Sequence, residues 1–221
     1  MVALVGRIQK APANSRGFDT SEIVTPGTAR KFKNDGFTFC IRYLSLFSTD
    51  DQVADGDLTR EEADDILNSG LGLMAVQHVR NPGWVPSGSR GTQTGNHAAN
   101  NAIFAGLPAG MNIWLDLEGI FVGTPDNDII NYCNNWFAQV SSVGYVPGIY
   151  LGFDELLTGD QLFHSLTCQH YWTSPSFVPD VAIRGYQMTQ TQLDIIVHGI
   201  NIDVDITKND RLGGQALWLI R

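Results

Sequence analysis

Positive charge is scarce in this sequence. Its 221 residues carry 14 Lys and Arg against 23 Asp and Glu, a formal charge of -9 with a pI near 4.8. The cations are nowhere clustered, and phosphate backbones or anionic membranes need concentrated positive charge. Nucleic acid is therefore not expected as a partner, and a neutral or weakly charged ligand is. Cysteine is also scarce. Cys40, Cys133 and Cys168 are odd in number, far apart and set in apolar or helical surroundings, which reads as buried free thiols rather than disulfides or a zinc site. No apolar run approaches the roughly 20 residues of a membrane span. Val2 to Val5 is too short for a secretory core, and Arg7 and Lys10 follow it instead of preceding it, so no signal peptide is expected. The compartment stays open, and a target outside the cell implies delivery by a dedicated secretion or lysis route. There is no G-x-G-x-x-G opening a helix, no G-x-x-x-x-G-K-[S/T] loop and no G-x-S-x-G elbow, so no cofactor is expected and serine hydrolysis is not indicated. Heptads, solenoid periods and flexible linkers are missing too. With 43% hydrophobic and 17% charged residues, the whole chain, 1–221, is expected to form one domain around a large core.

What is present is an alternation of strands and helices. Arg16 to Asp19 reads as a first strand, and Thr25-Pro26 opens a helix to about Asn34. Phe37 to Leu44 is a second strand, followed by a polar loop. Thr59-Arg60-Glu61-Glu62 is a capping-box start for a helix to Asn68. Leu71 to Val79 is a third strand, Asn81 to Gly95 a long Gly/Pro/Ser-rich loop over the mouth, and Asn96 to Ala105 a helix. Met111 to Glu118 is a fourth strand. Asp126 to Val143 has apolar residues at helical spacing. Val146 to Leu151, His170 to Thr173, Ile183 to Met188 and Ile200 to Ile206 complete eight strands, with one short helix over Asp154 to Leu166. The fold class is α/β, a single (β/α)8 TIM-like barrel with a compressed second half. The apolar ends, Ala3 to Ile8 and Ala216 to Ile220, either pair as extra strands or plug the barrel bottom.

The stretch Trp114-Leu115-Asp116-Leu117-Glu118 is the most informative. Side chains alternate along a strand, so Trp114, Asp116 and Glu118 share one face while Ile113, Leu115 and Leu117 take the other. Two acids on one face of an apolar strand require compensation, which suits the C-terminal mouth of a parallel barrel. Asp19 ends the first strand, and Asp203 and Asp205 lie on the last. Closure brings these acids to one pocket, where crowding and desolvation raise at least one carboxyl pKa and supply a general acid at neutral pH.

Gly17-Phe18-Asp19-Thr20-Ser21, the D-x-E of Asp116-Leu117-Glu118, Gly144-Tyr145-x-x-Gly148-Ile149-Tyr150, and Asp203-Val204-Asp205 after Gln187 together resemble glycoside hydrolase family 25 muramidases. They are still more similar to the related glycoside-hydrolase-like family called domain of unknown function 1906. The resemblance spans about residues 16–207. It implies cleavage of β-1,4 bonds in peptidoglycan glycan strands, with Asp19, Asp116, Glu118 and Asp203 lining the active site.

Breaking a glycosidic bond needs a proton on the leaving oxygen and stabilisation of an oxocarbenium-like centre. Glu118, longer and outermost, is the candidate general acid. Asp116, one pleat deeper, is placed to orient an acetamido group or stabilise charge. Asp19 and Asp203 tune these groups or bind hydroxyls. Tyr43, Trp84, Tyr150 and Trp172 are candidates for stacking on sugar rings, with Gln187, Asp205 and Arg42 as polar pocket groups. Trp114 reads as barrel core. Two alternatives stay open: a carbohydrate-binding barrel without activity, and a metal-dependent hydrolase using His78 with the acids. No H-x-H or H-E-x-x-H spacing supports the metal, and none is expected.

Overall fold

The computed structural model describes residues 2–47 and 56–221. Among them ten strands and five helices follow in the order β1 (Arg7–Lys10), β2 (Arg16–Thr20), α1 (Pro26–Asn34), β3 (Phe39–Leu44), α2 (Arg60–Asn68), β4 (Gly72–Gln77), α3 (Gly88–Phe104), β5 (Asn112–Leu117), α4 (Asp126–Ser142), β6 (Val146–Leu151), α5 (Gly159–His164), β7 (Tyr171–Thr173), β8 (Met188–Val197), β9 (Ile200–Thr207) and β10 (Leu217–Ile220). Most of the polar loop expected after β3 falls on 48–55 and lies outside the described residues.

Eight strands close a barrel in the order β4-β3-β2-β9-β8-β7-β6-β5, sealed by the β4–β5 pairing. It is a mixed, irregular TIM-like barrel. Strand β9 runs antiparallel to both β8 and β2, and the other neighbours are parallel. The second half is compressed, with only the six-residue α5 between β6 and β7 and no helix between β7 and β9. The chain ends do both things the sequence left open. β1 pairs antiparallel with β10, β10 joins β4 at Leu219↔Leu73, and Trp218 enters the barrel interior against Phe39.

Strand alternation sorts the core. Phe39, Ile41, Met74, Val76, Trp114, Trp172 and Met188 fill the barrel interior. Their neighbours Cys40, Leu73, Ile113, Leu115, Leu117 and Ile149 face the helices. All three cysteines are buried and free.

Two elements differ from the sequence reading. Helix α3 begins at Gly88, capped by Ser87, so half of the expected long loop is helical. Its glycines hid it. They are poor helix formers, but here they admit α4: a Cβ on Gly91 would sit 2.1 Å from the Tyr132 carbonyl oxygen, and one on Gly95 would sit 2.8 Å from the Trp136 backbone. Tertiary contact outweighs propensity. The expected strand Ile183 to Met188 is instead a turn, because Ile183 and Gly185 have φ of 63° and 71°; the strand starts at Met188. It continues into a hairpin with β9 whose turn residues, His198 and Gly199, have φ of 53° and 87°.

Candidate active site

The acids converge where the parallel strands end. Asp19 on β2 is the register partner of Asp203 on β9, two carboxylates directly opposite each other. Like charges so placed are unfavourable, and a third group answers them. Gln190 donates its amide to Asp19 Oδ2 and to Asp203 Oδ2, both at 2.9 Å, and accepts from the Tyr150 hydroxyl at 2.9 Å. Tyr43 donates to Asp19 Oδ1 at 3.3 Å. Asp203 is half-buried and also accepts the Asp194 N–H at 2.7 Å.

Asp205 is fully buried and accepts from Trp172 Nε1 at 2.9 Å. Its Oδ2 finds no N–H or hydroxyl donor among the described residues. Burial, the Asp19 charge and a hydrogen bond to Asp19 hold this carboxyl well above the usual range. The shift favours the protonated form of Asp205 beside Asp19. Asp116 is buried as well, with Oδ1 unpartnered among the described residues; burial, then Glu118 and Asp19, push it well up. Glu118, just past the end of β5, is half-buried, and burial followed by the Asp203 charge raises it. Its side chain lies over Gly152, where a Cβ would meet Oε2 at 2.1 Å.

The predicted aromatics are mostly used by the fold. Trp84 is buried, packs against Tyr132 and donates to the Glu118 carbonyl at 2.8 Å, so it braces the acid's backbone from below. Trp172 is 1% exposed and lies in the interior beside Trp114 and Tyr150. Only Tyr43 and Tyr150 are half-open. Gln187 is not a pocket group. It is fully buried and clamps β7 by accepting the Tyr171 N–H at 2.6 Å and donating to the Gln169 carbonyl. Arg42 is likewise buried in an ion pair with Glu62 on the helix side of β3. His78 lies beyond Tyr43, its ring tilted 35° against it with centroids 4.5 Å apart, and is paired with Asp57 at 3.0 Å. Among the described residues no group of three or more His, Cys, Asp or Glu is arranged to hold a metal ion. No helix among them is long and apolar enough to cross a membrane.

Sequence reading missed Gln190 and two exposed rings. Phe121 and Phe153 are 56% and 41% exposed; Phe121 lies three residues after Glu118, and the Phe153 ring lies against Gly119, next to it in the chain. Backbone bonds from Gly119 N to Phe153 O (2.7 Å) and from Phe121 N to Trp84 O (2.9 Å) lace the loops after β4, β5 and β6 into one ledge beside the acid.

A family model described as Rv2525c-like, glycoside hydrolase-like domain matches residues 30–207. The chain belongs to this family. Solved structures place this glycoside-hydrolase-like barrel among the muramidase folds. The Tat-secreted protein Rv2525c of Mycobacterium tuberculosis, in complex with L-tartrate, is 18% identical over 88% of this chain and 96% of its own, with a TM-score of 0.66. A muramidase from Trichobolus zukalii is 15% identical over 87% and 92%, at 0.61. A family 25 glycosyl hydrolase from Bacillus anthracis is 9% identical over 88% and 89%, at 0.57. No curated protein matches the chain.

The acid cluster makes stability depend on pH. Burial, and then Asp203, push Asp19 up to about 7 from an ordinary 3.8. Between about pH 4 and pH 7 the folded state keeps a proton that the unfolded chain has released, so stability falls as pH rises through that window. The charged Asp19 costs at most about 4 kcal/mol above it, at about 1.4 kcal/mol per unit. Asp19→Asn should therefore raise the urea midpoint at about pH 8 and not at about pH 4. An equal gain at both would rule out a charge origin.

Proposed function

We propose that this glycoside-hydrolase-like barrel cleaves β-1,4 bonds in peptidoglycan-type, N-acetylated glycans. One observation carries the reading: Glu118 stands at the open end of a buried acid cluster, its carboxyl raised and bound by no protein group among the described residues. A half-buried acid with a raised pKa favours the protonated form that a leaving oxygen needs. Asp116, deeper on the same face, meets the acetamido group or the charge that develops at the sugar. Asp203 and Tyr150 offer acceptors to sugar hydroxyls, and Asp19 and Asp205 hold the floor of the pocket.

The family membership supports the reaction class, and the likeness to muramidase folds supports the substrate. Peptidoglycan lies outside the cell, so delivery by a dedicated secretion or lysis route is part of this reading; the relative Rv2525c is a Tat-secreted protein. With a formal charge of -9, attraction to an anionic wall is weak and recognition falls to the cleft.

The test is release of new reducing ends from purified insoluble peptidoglycan, with and without chelator, products being weighed by mass spectrometry. Glycan fragments that ignore chelator are expected. Absence of turnover on several peptidoglycans and on chitin oligomers, with glycan binding retained, would turn the reading to a binding barrel. Because Trp84 and Trp172 are buried, the exposed ledge supplies the stacking surface. Replacing Phe121 and Phe153 together by Ala should raise KM roughly 3- to 10-fold and leave kcat within about twofold. An unchanged KM would remove the ledge from the substrate path.

A further inference from the structure

We infer that Gln190 is a positioning residue that orders the protons of the mouth, keeping the facing Asp19 and Asp203 as acceptors and turning the Tyr150 oxygen toward the ligand. This rests on the proposed glycosidase site and goes beyond it, because Gln190 belongs to none of the motifs that carry the resemblance.

The Gln190 side chain has two N–H groups and one carbonyl, and all three functions are used: one N–H to Asp19 Oδ2, one to Asp203 Oδ2, the carbonyl to Tyr150 O–H. Turned the other way, the amide would aim its carbonyl at two carboxyl groups, which the geometry disfavours. Both oxygens that face Gln190 are therefore acceptors, and the proton that Asp19 holds below about pH 7 belongs on its other oxygen. Tyr150 spends its only proton on Gln190, so the lone pairs left on its oxygen accept from a ligand hydroxyl or amide rather than donate.

The backbone places this side chain deliberately. The β8–β9 register is Gln190↔Asp205 and then Gln192↔Val204, with the shift falling at Thr191, whose hydroxyl is tied to the Val204 carbonyl at 3.0 Å. Such a bulge re-aims a side chain, and here Gln190 is 2% exposed and lies over the Asp19–Asp203 pair. Among the described residues no cation shares the work. Asp19 is faced by Asp203 and Asp205 from β9, Tyr43 from β3, Asp116 from β5 and Tyr150 from β6, with Cys40 on the outer side of β3. Arg42, also on that outer side, is bound to Glu62.

The test uses the resting protein. Aspartate carboxyls labelled with carbon-13 are titrated by NMR in wild type, Gln190→Leu and Gln190→Asn, and the Asp19 signal is assigned by its loss in Asp19→Asn. In the wild type, burial and then Asp203 push Asp19 up to about 7. In Gln190→Leu its midpoint should rise by about one unit or more, since a hydrogen bond to the charged form is lost. Gln190→Asn, whose shorter amide cannot span both acids, should move it the same way by less, and serves if the Leu variant does not fold. Midpoints unchanged in both variants would overturn the inference. A merely structural role would lower stability without moving the midpoint. Titration needs no turnover, so a shift in a protein that cleaves no glycan would uphold Gln190 and sink the glycosidase reading. Turnover with unshifted midpoints would do the reverse.

Discussion

Glu118→Gln should lower the release of reducing ends from peptidoglycan by about 10³-fold, in the range expected when a positioned acid is removed, with glycan binding and the unfolding midpoint little changed. The side chain stands on no structural bond: among the described residues nothing donates to its carboxyl, and its backbone carbonyl, held by Trp84, is untouched by the substitution. What Gln cannot do is give up a proton. A second variant separates chemistry from position. Gly152→Ala keeps the acid but places a methyl where Oε2 now lies, 2.1 Å from the new Cβ, so Glu118 must swing away from its seat. Its kcat should fall while the upper limb of the pH–rate profile moves, because the displaced carboxyl is more hydrated and its pKa drops toward the ordinary value. If Glu118→Gln retains activity within about threefold, the proton comes from another group. Asp116, the other buried acid on the same face, is then the first alternative to substitute.

The sequence was legible where one physical rule dominates. β5 could be read to within one residue at each end because a strand buried on both faces leaves its polar side chains nowhere to hide: Trp114 and Asp116 share one face, with Glu118 just beyond the strand end, and Ile113, Leu115 and Leu117 take the other. The same rule placed Asp19 and Asp203 together. It failed where a residue's partner lies far along the chain. Gln190 looks like any polar strand residue until the bulge at Thr191 turns it onto an acid 171 positions away. Trp84 and Trp172 look like platforms in sequence because aromatic type is visible there and exposure is not. The glycines of α3 look like loop in sequence because propensity is local and the approach of α4 is not. Thr59-Arg60-Glu61-Glu62 shows both sides at once. Thr59 caps α2 as expected by accepting the Glu62 N–H at 3.2 Å, yet the Glu62 carboxylate does not return to the cap.

It goes instead to Arg42, and this predicts the largest loss of stability in the molecule. Glu62→Ala should cost about 3–5 kcal/mol, read as a fall in the urea midpoint with an unchanged slope. Arg42 is fully buried on the helix side of β3. Its Nε meets Glu62 Oε1 at 2.6 Å, and its remaining N–H groups reach Glu62 Oε2, the Thr20 carbonyl and the Gly56 carbonyl. Glu62 Oε1 also takes the Val24 N–H at 2.7 Å. Removing the carboxylate therefore strands a guanidinium in the core and orphans a backbone donor at once. The pair itself is a weaker source of stability than its removal suggests, since both ions were desolvated to form it. Arg42→Met combined with Glu62→Leu should accordingly recover more than half of the loss. A double variant as unstable as Glu62→Ala would mean that the bonds to Thr20 and Gly56, rather than the stranded charge, hold this corner. That outcome would reach the mouth, because Thr20 adjoins Asp19 and a slackened end of β2 moves the acid that Gln190 and Tyr43 hold in place.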